Sequence, residues 1–156
     1  METVFIKTPL GITKIVGDEN GISEISVLDE GELTIEIPEN LKKAVAQLQE
    51  YFDGNRRDFT FQLNPKGTNF QQRVWHELLT IPFGKTMSYL DLSKKLGDVK
   101  AIRAVASANG KNPLWIVVPC HRVIGTNGSL TGYAGGLWRK KWLLEHENPT
   151  NQQSLF

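Results

Sequence analysis

The first third of the chain alternates between short segments rich in β-branched residues and turns built from Gly, Asn, Asp and Pro. These segments are 3–7, 11–17, 21–28 and 31–37. Such spacing predicts an antiparallel meander of strands. From Pro38 the pattern changes, because apolar residues recur at helical spacing as far as Phe52 and Gly54 follows them. The first half therefore predicts an α+β unit in which one helix packs on a small sheet.

After a strand-containing linker at 55–66, three successive helices are predicted. Each begins at a side chain that can cap a helix N-terminus and ends near a glycine. The caps are Thr68, Ser88 and Asp98, and the glycines are Gly84, Gly97 and Gly110. The last two helices are only about three residues apart, which is typical of a helix-turn-helix. A strand at 114–118, a Gly-rich loop at 125–136 and a final helix ended by Pro149 complete the pattern.

Composition narrows the class of protein. The 156 residues are 40% hydrophobic and 22% charged, which is typical of a globular protein of one or two small domains. No apolar run is long enough to span a membrane, and no secretory signal is recognisable at the N-terminus. Together with a single cysteine, this predicts a reducing, cytoplasmic location.

Charge is distributed unevenly along the chain. Residues 1–65 carry 6 Lys/Arg against 12 Asp/Glu, whereas residues 66–156 carry 12 against 5. A basic second half indicates contact with a polyanion, although two ordinary solvated surfaces would show the same counts.

The third predicted helix, from Val99 to about Asn109, is unusually rich in small residues. If Ile102, Val105 and Ala106 face the core, then an outer face remains that consists of Arg103, Ala104, Ser107 and Ala108. This face allows close approach to DNA with little sequence readout, which suits minor-groove binding. The alternative is that alanine simply favours helix.

Cys120 is the only cysteine of the chain, and His121 follows it directly. A lone thiol forms neither an internal disulfide nor a multi-cysteine zinc site, so packing and reactivity remain. Free cysteines are most often small buried hydrophobes. However, the thiolate is a strong nucleophile, and an adjacent imidazole can take up or orient its proton.

The second half resembles the methylated-DNA–protein-cysteine alkyltransferase family, bacterial type. The resemblance rests on five motifs in register. They are Ile81–Thr86 with Ser88-Tyr89, Ala101–Val105, Asn112-Pro113, Pro119–Val123, and Tyr133–Leu137 with Trp142–Glu147. It implies an α+β fold with a ribonuclease-H-like domain at 1–65, a winged helix-turn-helix alkyltransferase domain at 66–148 and a flexible tail at 149–156.

The resemblance implies roles for individual residues. Cys120 is the nucleophile, and His121 relays its proton through a water toward Glu147. The helical pattern alone does not choose between Glu145 and Glu147, which lie about 200° apart on a helix; family register selects Glu147. Asn112 ties the turn that carries the thiol, and Tyr89 assists departure of the guanine at a ring nitrogen.

Further roles concern DNA and the damaged base. By resemblance, Arg103 fills the space that a flipped nucleotide leaves. The predicted DNA-binding set is Arg103, Ala104, Ser107, Lys100 and Arg122. The predicted substrate pocket comprises Tyr133, Ala134, Gly135, Trp115 and Lys140. We further hypothesise that the bulk of Trp115 disfavours large adducts; the alternative is a tryptophan that only packs in the core.

The activity implied is suicidal repair of duplex DNA. An alkyl group moves from O6-alkylguanine, and potentially O4-alkylthymine, to Cys120, once per molecule, without metal or cofactor. Two other classes stay open: a winged-helix regulator or damage sensor with an inert cysteine, and a thiol hydrolase. The tail segment Gln152–Phe156 resembles a sliding-clamp-binding peptide, with a disordered tail as the alternative. We expect a monomer.

Overall fold

The computed structural model describes residues 1–126, 128, 133 and 135–149. These fall into two compact units. An N-terminal unit contains Met1–Lys66 together with Pro113–Val117, and a C-terminal unit contains Gly67–Asn112 and continues from Val118. The sequence predicted a contiguous division near residue 65. The insertion of 113–117 into the N-terminal unit was not predicted.

The N-terminal unit is built on a three-stranded antiparallel sheet. Its strands are β1 (Glu2–Thr8), β2 (Gly11–Asp18) and β3 (Gly21–Leu28), in the order β1-β2-β3. Gly11 and Gly21 have φ angles of 130° and 126°, which glycine adopts without strain at these two tight turns. Helix α1 (Glu39–Phe52) follows, and its apolar face and alternate strand residues form the core.

The predicted fourth strand at 31–37 does not form. Thr34 alone meets the edge of β1: its N–H donates to the Phe5 carbonyl, and its hydroxyl accepts the Phe5 N–H, both at 2.9 Å. The side chain of Ile35 is 96% exposed. The segment therefore presents no apolar face that a sheet could bury, and acidic residues around it favour solvation.

The predicted strands at 55–66 and 114–118 are each reduced to one isolated bridge. Leu63 pairs with Ile22, and Leu114 pairs with Ile25. After Leu114 the backbone turns, and Ile116 adopts a φ of 71°. This left-handed conformation is unfavourable for a β-branched residue and interrupts any strand.

The C-terminal unit contains the predicted helices. They are α2 (Asn69–Leu78), α3 (Tyr89–Lys95) and α4 (Ile102–Gly110), the last preceded by a 3₁₀ turn at Val99–Ala101. The predicted caps are confirmed, because the side chains of Thr68, Ser88 and Asp98 each accept a backbone N–H. Helix α2 is tied to α4 by a buried bond of 2.9 Å from Trp75 Nε1 to the Ala108 carbonyl.

Two short strands and a last helix complete this unit. Strand β4 (Met87–Ser88) pairs in parallel with β5 (Val123–Ile124). Helix α5 (Leu137–Glu147) begins after Gly136, whose φ is 91°. Its C-terminal end is fixed where Asn148 Nδ2 donates to the Gly84 carbonyl at 3.0 Å. No helix among the described residues is long and apolar enough to cross a membrane.

Candidate active site

The cysteine lies on a short 3₁₀ helix, Cys120–Arg122, that follows Pro119. The thiol is buried. Cys120 N–H donates to the Val118 carbonyl at 2.8 Å, and Asn112 Nδ2 donates to that same carbonyl at 2.7 Å. Because one carbonyl accepts both bonds, the side chain of Asn112 holds the turn that presents the sulfur.

His121 is fully buried and is hydrogen-bonded to Glu147, the last residue of α5. Its Nε2 lies 2.8 Å from Glu147 Oε2. Its Nδ1 is buried without a hydrogen-bond partner among the described protein atoms. A carboxylate at Nε2 favours the tautomer with its proton there, which leaves Nδ1 as an acceptor. Of the two candidate glutamates, the structure brings Glu147 to the imidazole.

Arg122 requires a correction, because the sequence reading placed it on the DNA surface. Its guanidinium is buried: Nε donates to Glu147 Oε1 at 2.8 Å, and Nη2 donates to Oε2 at 3.0 Å. Nη1 donates to the Ile81 carbonyl at 2.7 Å. Arg122 therefore fixes the carboxylate behind His121 instead of facing a phosphate.

The environment keeps Glu147 ionised. Burial by itself raises the pKa of this carboxyl, but the His121 imidazole and the Arg122 guanidinium outweigh burial. The net result is a pKa well below the usual range of a glutamate. A permanent anion at Nε2 stabilises an imidazolium, so His121 is equipped to receive a proton at Nδ1.

Lys140 is a buried source of positive charge that acts on the thiol. Its side chain is fully buried, and its Nζ lies 5.9 Å from the ring centroids of both Tyr89 and Tyr133. Burial lowers the pKa of Lys140 to about 8, against an opposing effect of Cys120. Burial raises the pKa of the Cys120 thiol, whereas Asn112, Lys140 and Tyr133 act to lower it. The structure thus brings together Cys120 and the predicted side chains of Lys140, Tyr89 and Tyr133.

The predicted DNA-binding face of α4 is solvent-exposed. Lys100, Arg103, Ala104 and Ser107 are all exposed. Ala108, which the sequence pattern placed on the same face, is instead buried and only 3% exposed. It lies on the side of α4 that packs on α2, where its carbonyl accepts the Trp75 bond.

Not every predicted pocket residue can be placed at the site. Trp115 belongs to the N-terminal unit, where its ring centroid lies 6.4 Å from that of Phe52. This favours the packing alternative, and an effect on adduct size stays a prediction. Ala134 and the tail segment 152–156 lie outside the described residues.

Sequence reasoning missed two residues beside the site. Asn109 is 3% exposed, and its Nδ2 lies 3.5 Å from the Cys120 carbonyl. Arg139 is 7% exposed and donates from Nη1 to the Gly135 carbonyl at 2.9 Å. The available signal for Asn109 was its position four residues after Val105, on the buried face of α4.

Two family models match the chain and cover most of its length. The first is the ribonuclease-like domain of 6-O-methylguanine DNA methyltransferase, at residues 2–65. The second is the DNA-binding domain of the same family, at residues 69–149. The chain belongs to the 6-O-methylguanine DNA methyltransferase family.

Named relatives agree with this family. The methylated-DNA–protein-cysteine methyltransferase of Methanosarcina acetivorans is 42% identical over 154 residues, covering 94% of this chain and 98% of the relative. The protein of that name from Mycobacterium tuberculosis is 45% identical over 147 residues, covering 91% and 89%.

Solved structures of the family share the predicted α+β fold. The crystal structure of Mycobacterium tuberculosis O6-methylguanine methyltransferase has a TM-score of 0.85 at 42% identity, covering 95% of this chain and 93% of that one. The Mycobacterium tuberculosis protein in complex with DNA has a TM-score of 0.84 at 42% identity, covering 97% and 92%.

Proposed function

We propose that this protein repairs alkylated duplex DNA by moving the alkyl group from O6-alkylguanine to the sulfur of Cys120. One observation carries the proposal. The buried Cys120 thiol is followed directly by His121, whose Nε2 is hydrogen-bonded to the ionised carboxylate of Glu147, and that carboxylate in turn accepts a hydrogen bond from Arg122. Family membership supplies the substrate class, since the relatives are named for methylated DNA. By the same family chemistry the activity extends to O4-alkylthymine.

The nucleophile is generated by proton transfer away from the thiol. The Cys120 proton passes through a bridging water to His121 Nδ1, the buried nitrogen with no partner among the described protein atoms. Glu147 stabilises the resulting imidazolium, and the Lys140 ammonium favours the thiolate electrostatically. Each group acts where charge develops, and buried charges interact more strongly than exposed ones.

The transfer itself is a displacement at carbon. The sulfur forms a bond to the alkyl carbon while the bond from that carbon to guanine O6 breaks. Guanine leaves with the electron pair, and the Tyr89 hydroxyl donates a proton to its ring nitrogen. The proton that His121 took from the thiol is then available to restore the Tyr89 hydroxyl, so that charge balances. The products are an unmodified guanine and a thioether on Cys120.

Access to the base requires that the damaged nucleotide leave the duplex. The exposed face of α4 would lie in the minor groove, where Ala104 and Ser107 allow close approach. Arg103 would occupy the space of the flipped nucleotide and stack on its neighbours. Lys100 supplies a phosphate contact. Tyr133 and Gly135, with Ala134 between them in sequence, would line the lip of the base pocket.

The reaction occurs once per molecule. A thioether is not reversed without a resolving group, and Cys120 is the only cysteine of the chain. The protein is therefore consumed as a reagent.

Mass spectrometry after incubation with a duplex carrying O6-methylguanine tests the proposal. A transferase gains one methyl group on the peptide that contains Cys120. A winged-helix regulator or damage sensor binds the duplex and gains no mass. A thiol hydrolase turns over ester or peptide substrates repeatedly and stays unmodified. Either of the last two results would contradict the proposal.

We also propose that the tail segment Gln152–Phe156 docks on the bacterial sliding clamp, with Leu155 and Phe156 as apolar anchors. Deletion of residues 152–156 should abolish binding of the full chain to immobilised clamp, measured by surface plasmon resonance. Methyl transfer to Cys120 should be unchanged in the same variant. Equal clamp binding with and without the tail would refute this part.

A further inference from the structure

The N-terminal end of α5 holds two buried cations where a helix normally disfavours them. Arg139 and Lys140 occupy its first turn, which contains no acidic residue and has no side-chain cap. A positive charge at this end opposes the helix dipole, and burying it adds a desolvation cost. Lys140 faces the two tyrosines of the site. Arg139 has no part in the mechanism above, so its burial needs another explanation.

Arg139 braces the loop that precedes α5. Its Nη1 donates to the Gly135 carbonyl at 2.9 Å, and its Cζ lies 4.5 Å from the ring centroid of Trp138. Gly136 N–H also donates to the Tyr133 carbonyl at 2.9 Å. Glycines at 135 and 136 bring no side chains that could hold this backbone, so the guanidinium substitutes for them.

We propose that Arg139 is a positioning residue that fixes the Gly135 carbonyl and so shapes the lip of the base pocket. The inference rests on the proposed function, because it assigns the lip to recognition of the flipped base. Its effect falls on binding of the base and not on methyl transfer from a bound base. Trp138, which is 56% exposed, shields the guanidinium from water on one side.

Single-turnover methyl transfer to Cys120 tests this, with two substrates across a concentration range: an O6-methylguanine duplex and the free O6-methylguanine base. Arg139→Ala should raise the half-saturating concentration of both about tenfold, since the charge-assisted hydrogen bond to the Gly135 carbonyl is lost. The limiting rate should stay within about twofold, as expected when uniform binding is removed. Arg139→Lys should recover part of the affinity.

Arg73→Ala is the matched control. Arg73 is an exposed arginine of the same unit that also donates to a backbone carbonyl, that of Leu96 at the end of α3, at 3.1 Å, and its removal deletes the same charge. It should leave the free-base reaction unchanged. Two results would refute the role of Arg139 at the lip. One is a half-saturating concentration that rises only for the duplex and equally in both variants. The other is a fall in the limiting rate alone.

Folding and function are separated by two further measurements. Thermal unfolding shows whether the Arg139→Ala chain folds. If it does not, the Arg139→Lys variant, which keeps the charge, is measured instead. A raised half-saturating concentration of substrate then supports the inference, and an unchanged one refutes it. If the wild-type chain accepts methyl on Cys120 and the Arg139→Ala variant does so with unchanged half-saturation, only this inference is refuted. A wild-type chain that accepts methyl from neither substrate refutes the proposed function as well.

Discussion

The two units bury different kinds of polar group. In the N-terminal unit the buried polar side chains are neutral and bonded to each other or to nearby threonines: Thr8 to Thr13 at 3.2 Å, and Gln47 to Thr60 at 2.7 Å. In the C-terminal unit they include His121, Arg122, Arg139, Lys140 and Glu147.

This difference indicates that the N-terminal unit is a structural scaffold and that the C-terminal unit holds the reaction centre. A neutral hydrogen-bonded pair costs little to bury, whereas each buried ion carries a desolvation penalty of several kcal/mol. Stability alone therefore gives no reason to bury charges around one thiol. Charges that polarise a nucleophile and its proton acceptor do give a reason, because such a site must be organised before the substrate arrives.

Replacement of the sulfur has the largest expected effect. Cys120→Ser should abolish methyl transfer, because a serine hydroxyl at this site has a far higher pKa than a thiol. Binding to an O6-methylguanine duplex should persist, since α4 is unchanged. The readout of transfer is the disappearance of O6-methylguanine from the duplex, where it is converted to guanine. Measurable repair by the serine variant would remove the distinction between scaffold and reaction centre.

The carboxylate of Glu147 comes next. Glu147→Ala leaves Arg122 buried without its anion and should lower the free energy of unfolding by about 3–5 kcal/mol. The matched change in the N-terminal unit, Gln47→Ala, breaks the two neutral hydrogen bonds between Gln47 and Thr60 and should cost about 1–3 kcal/mol. Urea denaturation of both variants compares them. Equal costs would mean that the two units do not differ in the way described.

Lys140 provides a pH test of the same contrast. Its pKa of about 8 lies below the usual 10.5, so the unfolded chain holds a proton that the folded chain has released between these values. The free energy of unfolding should therefore rise with pH across this window, by roughly 3 kcal/mol in total. The raised pKa of Cys120 has the opposite sign, because the folded thiol keeps its proton longer.

The measurement is best made in the Cys120→Ser background, which removes the thiol. Because the thiol raises the pKa of Lys140, the rise should begin below pH 8 in this background, and adding Lys140→Met should flatten it up to pH 10.5. Adding Lys141→Met, which changes an exposed neighbour, should leave the rise in place. A rise that survives Lys140→Met would assign it to other groups.

The smallest expected effect concerns a helix of the C-terminal unit that lies outside the charged site, namely α2. Thr68 forms a capping box with Gln71 at the start of α2. Thr68→Ala should lower the free energy of unfolding by about 1 kcal/mol and leave methyl transfer unchanged. A large loss of transfer would show that α2 does more than support α4 through the Trp75 bond.

Local signals in the sequence were sufficient for the helices. Thr68, Ser88 and Asp98 cap helices because their side chains act on backbone groups two or three residues away. The strands at 31–37 and 114–118 were predicted wrongly for the opposite reason. Strand formation depends on a partner edge distant in sequence, and a β-branched composition does not reveal whether one is present.

The candidate site shows the same division. Family register selected Glu147 as the partner of His121, and the structure shows that contact. The water that the resemblance implied between them is not needed, because the two side chains are in direct contact at 2.8 Å. The buried position of Arg122 was missed because, from sequence, an arginine near a DNA-binding helix is equally consistent with a phosphate contact and with a buried ion pair. Only the fold brings the end of α5 and the Ile81 carbonyl to its guanidinium.

The most direct test of the central claim is the stoichiometry of transfer. The protein is incubated to completion with a tenfold excess of duplex carrying radiolabelled O6-methylguanine, and label is counted on protein and DNA. The account predicts a plateau at one methyl group per protein molecule, all of it on the Cys120 peptide. Continued removal of methyl groups beyond that plateau, or label on any other residue, would contradict it.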